Sequence, residues 1–275
     1  EAREIFGKRL VGSIIIGLAC MVGCLEAATV EVGSSDCLSC HRERNAGLVA
    51  DWEKSRHNLP DLDCHSCHGT RHDGTMAAQA RRNEACTGCH ARESSSYTLS
   101  KHGVIATLEA GRMDFTQPLR DGNFRAPTCA YCHLHSGDHN IGAEVFPLLP
   151  REGCQATPDD ASRTESRALP CRDCHSPRFV ETWFLSGDRM LEIGRMKVRE
   201  AMAVVKQTEK LDADWAEKAR TIQQRMTDDH LRNVRLGVGH QSPDDQWWHG
   251  HPALDGDLLR IKSILSDHPG KSAGP

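Results

Sequence analysis

The chain has 275 residues, a length that one large domain or two modest ones can account for. Hydrophobic residues make up 38% and aromatic residues 5%, both low for a chain of this length that builds its core from side chains alone. A mean hydropathy of -0.53 excludes a polytopic membrane protein, and a net charge of -4 argues against a general nucleic-acid binder. Cysteine and histidine are abundant instead, with 13 and 16 residues. This composition indicates that a group other than aromatic side chains fills part of the interior, and that cysteine and histidine side chains bind it.

Residues 1–28 form a distinct N-terminal leader. Two cations precede an apolar stretch from Leu10 to Leu25, and small residues follow it, an order that predicts a secretory signal. The stretch is shorter than the roughly 20 residues that span a bilayer. Three alternatives remain open: signal cleavage after Ala27 or Ala28, lipoprotein-like cleavage at Cys24, or retention as an anchor. Each places the mature chain in a periplasmic or other extracytoplasmic compartment, with membrane contact only through the leader.

Five copies of one pentapeptide, Cys-x-x-Cys-His, follow the leader. This motif is the attachment signal for c-type haem. Its two thiols form thioether bonds with the vinyl groups of the porphyrin, and its imidazole lies beneath the ring as the proximal iron ligand. We therefore predict five covalently bound c-type haems. Their residues are Cys37, Cys40 and His41; Cys64, Cys67 and His68; Cys86, Cys89 and His90; Cys129, Cys132 and His133; and Cys171, Cys174 and His175.

Three other interpretations of paired cysteines fit less well. A zinc ribbon uses two Cys-x-x-Cys pairs per metal and needs no histidine after each pair. A thioredoxin-like redox motif occurs once, near a βαβ pattern that this sequence lacks. A disulfide scaffold does not repeat one pentapeptide five times. Of the three remaining cysteines, Cys20 and Cys24 lie in the leader, and we interpret Cys154 as a free thiol rather than a ligand.

The motifs set the organisation of residues 29–180, which we predict to form a five-haem cytochrome domain. Gly, Pro, Asp and Asn are frequent there, and no strand-length alternation stands out, so we expect short helices that carry the motifs, irregular loops around stacked haems, and little or no β structure. The first three motifs follow one another closely, so we expect their haems to be near neighbours. Residues 150–170 lack apolar periodicity and are expected to form an exposed loop.

Residues 181–275 are predicted to form a C-terminal region of long helices that packs on the haem domain. Their apolar residues recur at helical intervals. A long helix or helix pair is expected over about residues 190–233 and is ended by Gly237 and Gly239, and a further helix follows. The stripes are Val198, Met202 and Val205; Leu211, Trp215, Ala219, Ile222 and Met226; and Leu254, Leu258, Ile261 and Leu265. The predicted fold class is mainly α.

Eleven histidines lie outside the proximal positions, enough to supply a second axial ligand to every iron. We expect bis-His haems, which are six-coordinate. The alternatives Met76 and Met113 are less favoured, and His251 competes with His249. His65 and His135 suit contacts with haem propionates or solvent. The candidate distal ligands, each in a short polar or Gly-flanked segment, are His57, His72, His102, His139 and His249; the other spare histidines are His230, His240 and His268.

The sequence resembles the hydroxylamine oxidoreductase-like multihaem cytochromes, which are related to the ammonia-forming cytochrome c nitrite reductases. The resemblance covers about residues 35–265 and rests on WEKSRH at 52–57, CHSCHGTRH at 64–72, SKHG at 100–103, PTCAYCHLHSGDHN at 127–140 and CRDCHSPRF at 171–179. It implies closely stacked haems, bis-His ligation, a helical tail that can form homo-oligomers, and periplasmic redox chemistry on nitrogen compounds.

The chain also departs from these families. Octahaem members have eight motifs, and pentahaem nitrite reductases hold the catalytic haem with Cys-x-x-Cys-Lys, whereas all five motifs here end in His. Hydroxylamine-oxidising members cross-link the catalytic haem through a tyrosine of the C-terminal part. The tyrosines here are Tyr97 and Tyr131, and neither follows the last motif.

Three functions follow as hypotheses, and the departures favour the first. The first is an electron-transfer protein whose partners are other cytochromes or a membrane quinol-oxidising complex. The second is a nitrite or hydroxylamine reductase, which needs one iron with an open axial position and nearby acid and cationic groups. The third is a haem-rich subunit of a larger membrane complex. None of these three functions requires a nucleic-acid partner.

Overall fold

The computed structural model describes residues 30–31, 33–118, 126–135, 137, 139–141 and 168–268. The leader, Cys154 and most of the expected loop at 150–170 lie outside these described residues, so the expectations for them remain predictions. All five motifs and all five candidate distal histidines lie within the described residues.

Short helices carry the motifs, as the sequence predicts. The helices are α1 (Ser34–Arg44), α2 (Ala46–Lys54), α3 (His65–His68), α4 (Met76–Arg81), α5 (Glu84–Thr87), α6 (Ala91–Thr98), α7 (Lys101–Glu109) and α8 (Cys129–His133), with a 3₁₀ turn at Ala110–Arg112. Residues 168–172 are helical and lead into the fifth motif. Within the described part, β structure is limited to one antiparallel pair of two-residue strands, β1 (Val30–Glu31) and β2 (Arg71–His72). The predicted mainly α class is confirmed.

Longer helices form the C-terminal tail. They are α9 (Pro177–Thr208), α10 (Ala213–Arg225), a π-helical turn at Met226–His230, α11 (Leu231–His240), α12 (Pro243–Trp247) and α13 (His251–Asp267). Helix α9 begins where Ser176 accepts a hydrogen bond from the backbone N–H of Phe179, with a proline in its first turn. Within the described residues, no helix is both long and apolar enough to cross a membrane.

One apolar cluster holds the tail together. Helices α9, α10, α11 and α13 pack their buried faces against one another, and Ala201, Met226, Val234, Leu254 and Ile261 are fully buried between them. Most of the apolar stripes identified in the sequence therefore contribute to the core. The haem-motif region holds a much smaller cluster, in which Tyr97, Ala106 and Ala126 are buried. Side chains alone thus build a core for the tail and only a small one for the motif region.

Several details of the predicted tail are wrong. Helix α9 begins at Pro177, well before residue 190, and Met202 is 52% exposed. Gly237 and Gly239 do not end a helix, because α11 continues through both to His240. Gly237 instead allows a close contact between two helices. A Cβ at residue 237 would lie 2.7 Å from the backbone N of Gln246, so the absence of a side chain at Gly237 lets α12 pack directly on α11.

Two further positions differ from the expectations. In α13, Ile264 is buried whereas Leu265 is only partly so. At the end of the expected loop at 150–170, residues 168–170 are helical and Ala168 is buried. Ile264 and Ala168 are buried by tertiary packing, which the spacing of apolar residues in the sequence does not reveal.

Candidate haem-binding sites

Each motif is shaped by one turn of helix. In three of the motifs the backbone N–H of the closing histidine donates to the carbonyl of the first cysteine: His68 to Cys64 at 3.0 Å, His90 to Cys86 at 3.0 Å, and His175 to Cys171 at 2.9 Å. Residues three and four apart lie on the same side of such a turn. The two thiols and the imidazole therefore point to one side, and the ten motif cysteines are all free thiols.

Four motif histidines face a second histidine from elsewhere in the chain. Two imidazoles that bind one metal ion through bonds of about 2 Å have ring centres about 6 Å apart. The observed separations of the ring centroids match this value. They are 6.4 Å for His41 and His72, 5.8 Å for His57 and His90, 6.1 Å for His68 and His139, and 6.1 Å for His102 and His175.

The remaining motif histidine is His133 of the fourth motif. It lies near His240, which ends helix α11. Burial, followed by the nearby charge of His240, lowers the pKa of His133 to about 4. Tyr97 packs edge-on against His240, with ring centroids 6.4 Å apart. Among the histidines near His133, His240 is the one whose charge acts most strongly on it.

The structure places the candidate distal ligands in two kinds of surroundings. His57, His72, His102 and His139 each lie beside a motif histidine, but His249 does not take the place next to His133. The His249 side chain is 64% exposed, and its Nε2 is 3.3 Å from Asp244 Oδ2 at the surface. Sequence reasoning preferred His249 for its Gly-flanked segment, yet His240 directly follows Gly239 and carries the same local signal.

The other spare histidines have protein partners. His251, the competitor of His249, is buried in the tail, where its Nδ1 is 3.3 Å from Lys197 Nζ. Nε2 of His65 is 3.4 Å from Cys37 Sγ, and Nε2 of His135 is 2.7 Å from Asp173 Oδ2.

The two methionines considered as alternative distal ligands have other contacts. Met113 packs against the small Tyr97 cluster, and the carbonyl of Met76 is 3.3 Å from His68 Nδ1.

Burial keeps several of the paired imidazoles neutral. It lowers the pKa of His57, His68, His102, His133 and His240, and the paired histidine adds to this effect in the first three. The neutral imidazole is the form that binds a metal. A buried ring nitrogen in each of His41, His57 and His240 has no hydrogen-bond partner among the described residues.

Successive motifs touch through their cysteines. The thiol of Cys37 lies near that of Cys64, and the thiol of Cys86 lies near that of Cys129. Cys67 lies near Cys86 and Cys89, and Cys132 lies near Cys171. The five motifs therefore follow one another in space in the same order as in the chain, and the first three are close neighbours, as their spacing suggests.

Hydrogen bonds fasten neighbouring motifs to each other. Asn83 Oδ1 accepts from the backbone N–H of Cys129 at 2.9 Å and joins the third motif to the fourth. The Tyr131 hydroxyl donates to Asp173 Oδ2 at 2.7 Å, and the same oxygen is 2.7 Å from His135 Nε2. Since Asp173 lies between the two cysteines of the fifth motif, these contacts join the fourth motif to the fifth.

The ligand groups fit c-type haem. Each motif offers two thiols and one imidazole on one side of a turn, the groups that would hold a c-type haem. At four motifs a second imidazole lies about 6 Å from the first. Groups of three or more His, Cys, Asp or Glu side chains placed to hold a metal ion are absent from the described residues.

Comparison with known proteins agrees with this geometry. The family model described as "Seven times multi-haem cytochrome CxxCH" matches residues 44–213, and the chain belongs to this family. It is a multihaem c-type cytochrome with covalently bound haem. Such cytochromes are generally extracytoplasmic.

A curated relative refines the resemblance. The chain is 29% identical over 167 residues to the "Probable nitrite reductase-hydroxylamine oxidoreductase fusion protein" of Kuenenia stuttgartiensis. The match covers 47% of this chain and 20% of the relative, so the chain spans about a fifth of that protein's length. The resemblance to hydroxylamine oxidoreductase-like cytochromes is confirmed.

Two solved structures share the fold. A reducing HAO-like protein complex of Kuenenia stuttgartiensis matches with a TM-score of 0.52 and 16% identity, over 87% of this chain and 88% of that one. A structure described as a hypothetical multiheme protein matches with a TM-score of 0.53 and 16% identity, over 74% of this chain and 57% of that one.

Proposed function

We propose that the protein is a periplasmic or otherwise extracytoplasmic cytochrome that carries electrons through five covalently bound, bis-His haems. The observation that carries this proposal is that four of the five motif histidines have a second histidine ring about 6 Å away. The remaining one, His133, lies near His240. When bound, the haems supply one-electron exchange, and an iron with two imidazole ligands has no position left for a substrate.

The protein's own contribution is to hold the sites in sequence. The cysteines of successive motifs lie near one another, so every site is next to the following one. Asn83 accepts a hydrogen bond from the backbone N–H of Cys129 and joins the third motif to the fourth, and Asp173 accepts one from Tyr131 and joins the fourth to the fifth. Burial of His133 and His240 keeps their imidazoles neutral and ready to bind. A series of adjacent haem sites in fixed positions suits electron transfer along the molecule. This function requires no substrate pocket.

The second candidate is a nitrite or hydroxylamine reductase. The name of the curated relative from Kuenenia stuttgartiensis supports it. This function requires one histidine pair to open and leave an iron with a free axial position. The two candidates therefore differ in the number of axial histidines at one site.

The experiment that tests the proposal counts haems and axial ligands. The purified, haem-loaded protein should carry five haem additions by mass spectrometry, and Cys67→Ser should leave one haem singly attached or lost. The oxidised protein should give only low-spin signals in electron paramagnetic resonance, and carbon monoxide should not shift the absorption of the reduced protein. Fewer than five haems would contradict the cofactor load. A high-spin fraction of about one haem in five would favour the reductase.

Location and partners form a separate part of the proposal. We expect the leader to direct export and the redox partners to be other cytochromes or a membrane quinol-oxidising complex, with homo-oligomers formed through the tail. Loss of membrane association in Cys24→Ser would support a lipid anchor, and no change would support ordinary signal cleavage. Haem-loaded protein in the cytoplasm would contradict the extracytoplasmic location.

A further inference from the structure

A cavity of about 480 Å³ lies in the tail between α9, the π-helical turn and α11. Three arginines, Arg195, Arg232 and Arg235, line it together with Asp228, Thr227 and two leucines. Three cationic side chains around one cavity form a positively charged surface, and a single carboxylate on the same wall offsets only part of that charge.

The carboxylates around this cavity leave positive charge unbalanced. Arg232 is bound to Glu93 at 3.0 Å, and Arg195 lies 3.8 Å from Glu192, an acid that also binds Arg199 at 2.6 Å. Within the described residues, the guanidinium group of Arg235 makes no hydrogen bond or ion pair. Desolvation of that group, and then the charges of Arg195, Arg56 and Arg232, lower the pKa of Arg235.

The cavity adjoins the third motif. Arg56, whose charge reaches Arg235, directly precedes His57, the partner of His90. On the other side of His90, Arg92 in α6 donates to Asn233 Oδ1 in α11 at 2.7 Å. Helix α11 is thus fastened to α6, which directly follows the third motif, and Arg232 of the cavity binds Glu93 in that helix.

We propose that this arginine cavity binds a planar anion with two oxygen atoms. A guanidinium group presents two parallel N–H donors that match such an anion, and clustered guanidinium groups repel one another unless an anion lies between them. Two sources have this chemistry: a propionate of the haem held by the third motif, and a small free anion such as formate or nitrite. The first source depends on haem binding at that motif, and neither depends on electron transfer along the chain.

The test uses the haem-loaded protein and compares Arg235→Gln with Arg220→Gln. Arg220 is a matched control, since it lies in the same tail but is bound to Glu217 at 2.8 Å, outside the cavity. Calorimetric titration with formate, which is redox-inert, tests the free anion. If formate is the ligand, it binds wild type and Arg220→Gln saturably and binds Arg235→Gln roughly tenfold more weakly.

A propionate ligand gives a different result. Formate then binds none of the variants, and Arg235→Gln lowers the reduction potential of one haem in a spectroelectrochemical titration, because a lost cation favours the more positive oxidised iron. Arg235→Lys, which keeps the charge, restores most of that potential. If formate does not bind and the potentials of Arg235→Gln equal those of Arg220→Gln, the proposal is wrong. Circular dichroism verifies that each variant is folded.

Discussion

The imidazole rings of His102 and His175 lie 6.1 Å apart, although one follows the third motif and the other closes the fifth. The start of α7 places His102. Ser100, fully buried before that helix, accepts from the backbone N–H of Gly103 at 3.0 Å and donates to the carbonyl of Tyr97 at 2.7 Å. This cap holds α7 against α6 and so fixes the position from which His102 reaches the fifth motif.

Gly103→Ala should disturb this histidine pair. A Cβ at residue 103 would lie 2.1 Å from the carbonyl oxygen of Tyr97 and 2.7 Å from Thr98 Cα, so the backbone must move. We expect a loss of about 1 to 3 kcal/mol in stability and a high-spin signal from the haem at the fifth motif. Gly111→Ala is the control, because its Cβ would meet nothing within 4 Å. An all-low-spin spectrum in Gly103→Ala would show that α7 does not position His102.

His240→Ala should open one iron, and His249→Ala should open none. His240 lies beside His133, whereas His249 is exposed and paired with Asp244. We expect about one haem in five to become high-spin in His240→Ala and to bind carbon monoxide when reduced, with His249→Ala unchanged. The reverse pattern would restore the sequence-based choice of His249.

Asp257→Asn should weaken the tail at neutral pH. Asp257 is 1% exposed, and its carboxylate accepts two hydrogen bonds from Arg225 at 2.8 Å and one from Arg260 at 2.8 Å. We expect a loss of about 2 to 3 kcal/mol in urea unfolding followed by far-UV circular dichroism. Glu217→Gln, which removes an exposed partner of Arg220, should cost less than about 1 kcal/mol. Equal effects would argue against a special role for the buried carboxylate.

The same carboxylate predicts a dependence on acid. Burial alone would raise the pKa of Asp257, but the hydrogen bonds and charge of Arg225, with His230, hold it below its ordinary value. A carboxyl whose pKa is lower in the folded state stabilises the fold above its unfolded pKa of about 3.9. This stability should be lost as the pH falls from about 5 through the folded pKa. Asp257→Asn should flatten the unfolding free energy over that window, and an unchanged acid dependence would contradict the assignment.

Asp173→Ala should loosen the junction between the fourth and fifth motifs. His135 is 4% exposed, and its Nε2 lies 2.7 Å from the Asp173 carboxylate. The substitution removes this carboxylate and leaves the buried imidazole without that partner. We expect a loss of about 1 to 3 kcal/mol. Asp244→Ala breaks the comparable pair with exposed His249 and should cost less than about 1 kcal/mol. Similar losses in thermal unfolding of the two variants would contradict a structural role for Asp173.

The sequence by itself determined the attachment chemistry, because that chemistry is local. Two thiols and an imidazole within five residues reach one porphyrin from a single helical turn, as at Cys64, Cys67 and His68. The mainly α class and most of the tail core, including Ala219, Ile222 and Met226, also follow from local periodicity.

Only the tertiary structure decided which spare histidine lies near each motif histidine. His240 and His249 both lie next to a glycine, and no local property separates them. The difference arises because α11 runs on through Gly237 and Gly239 and brings His240 to His133, whereas the turn after α12 leaves His249 in solvent. Two imidazoles that share one iron meet across about 6 Å of space. That distance is set by how helices pack and not by the residues beside either histidine.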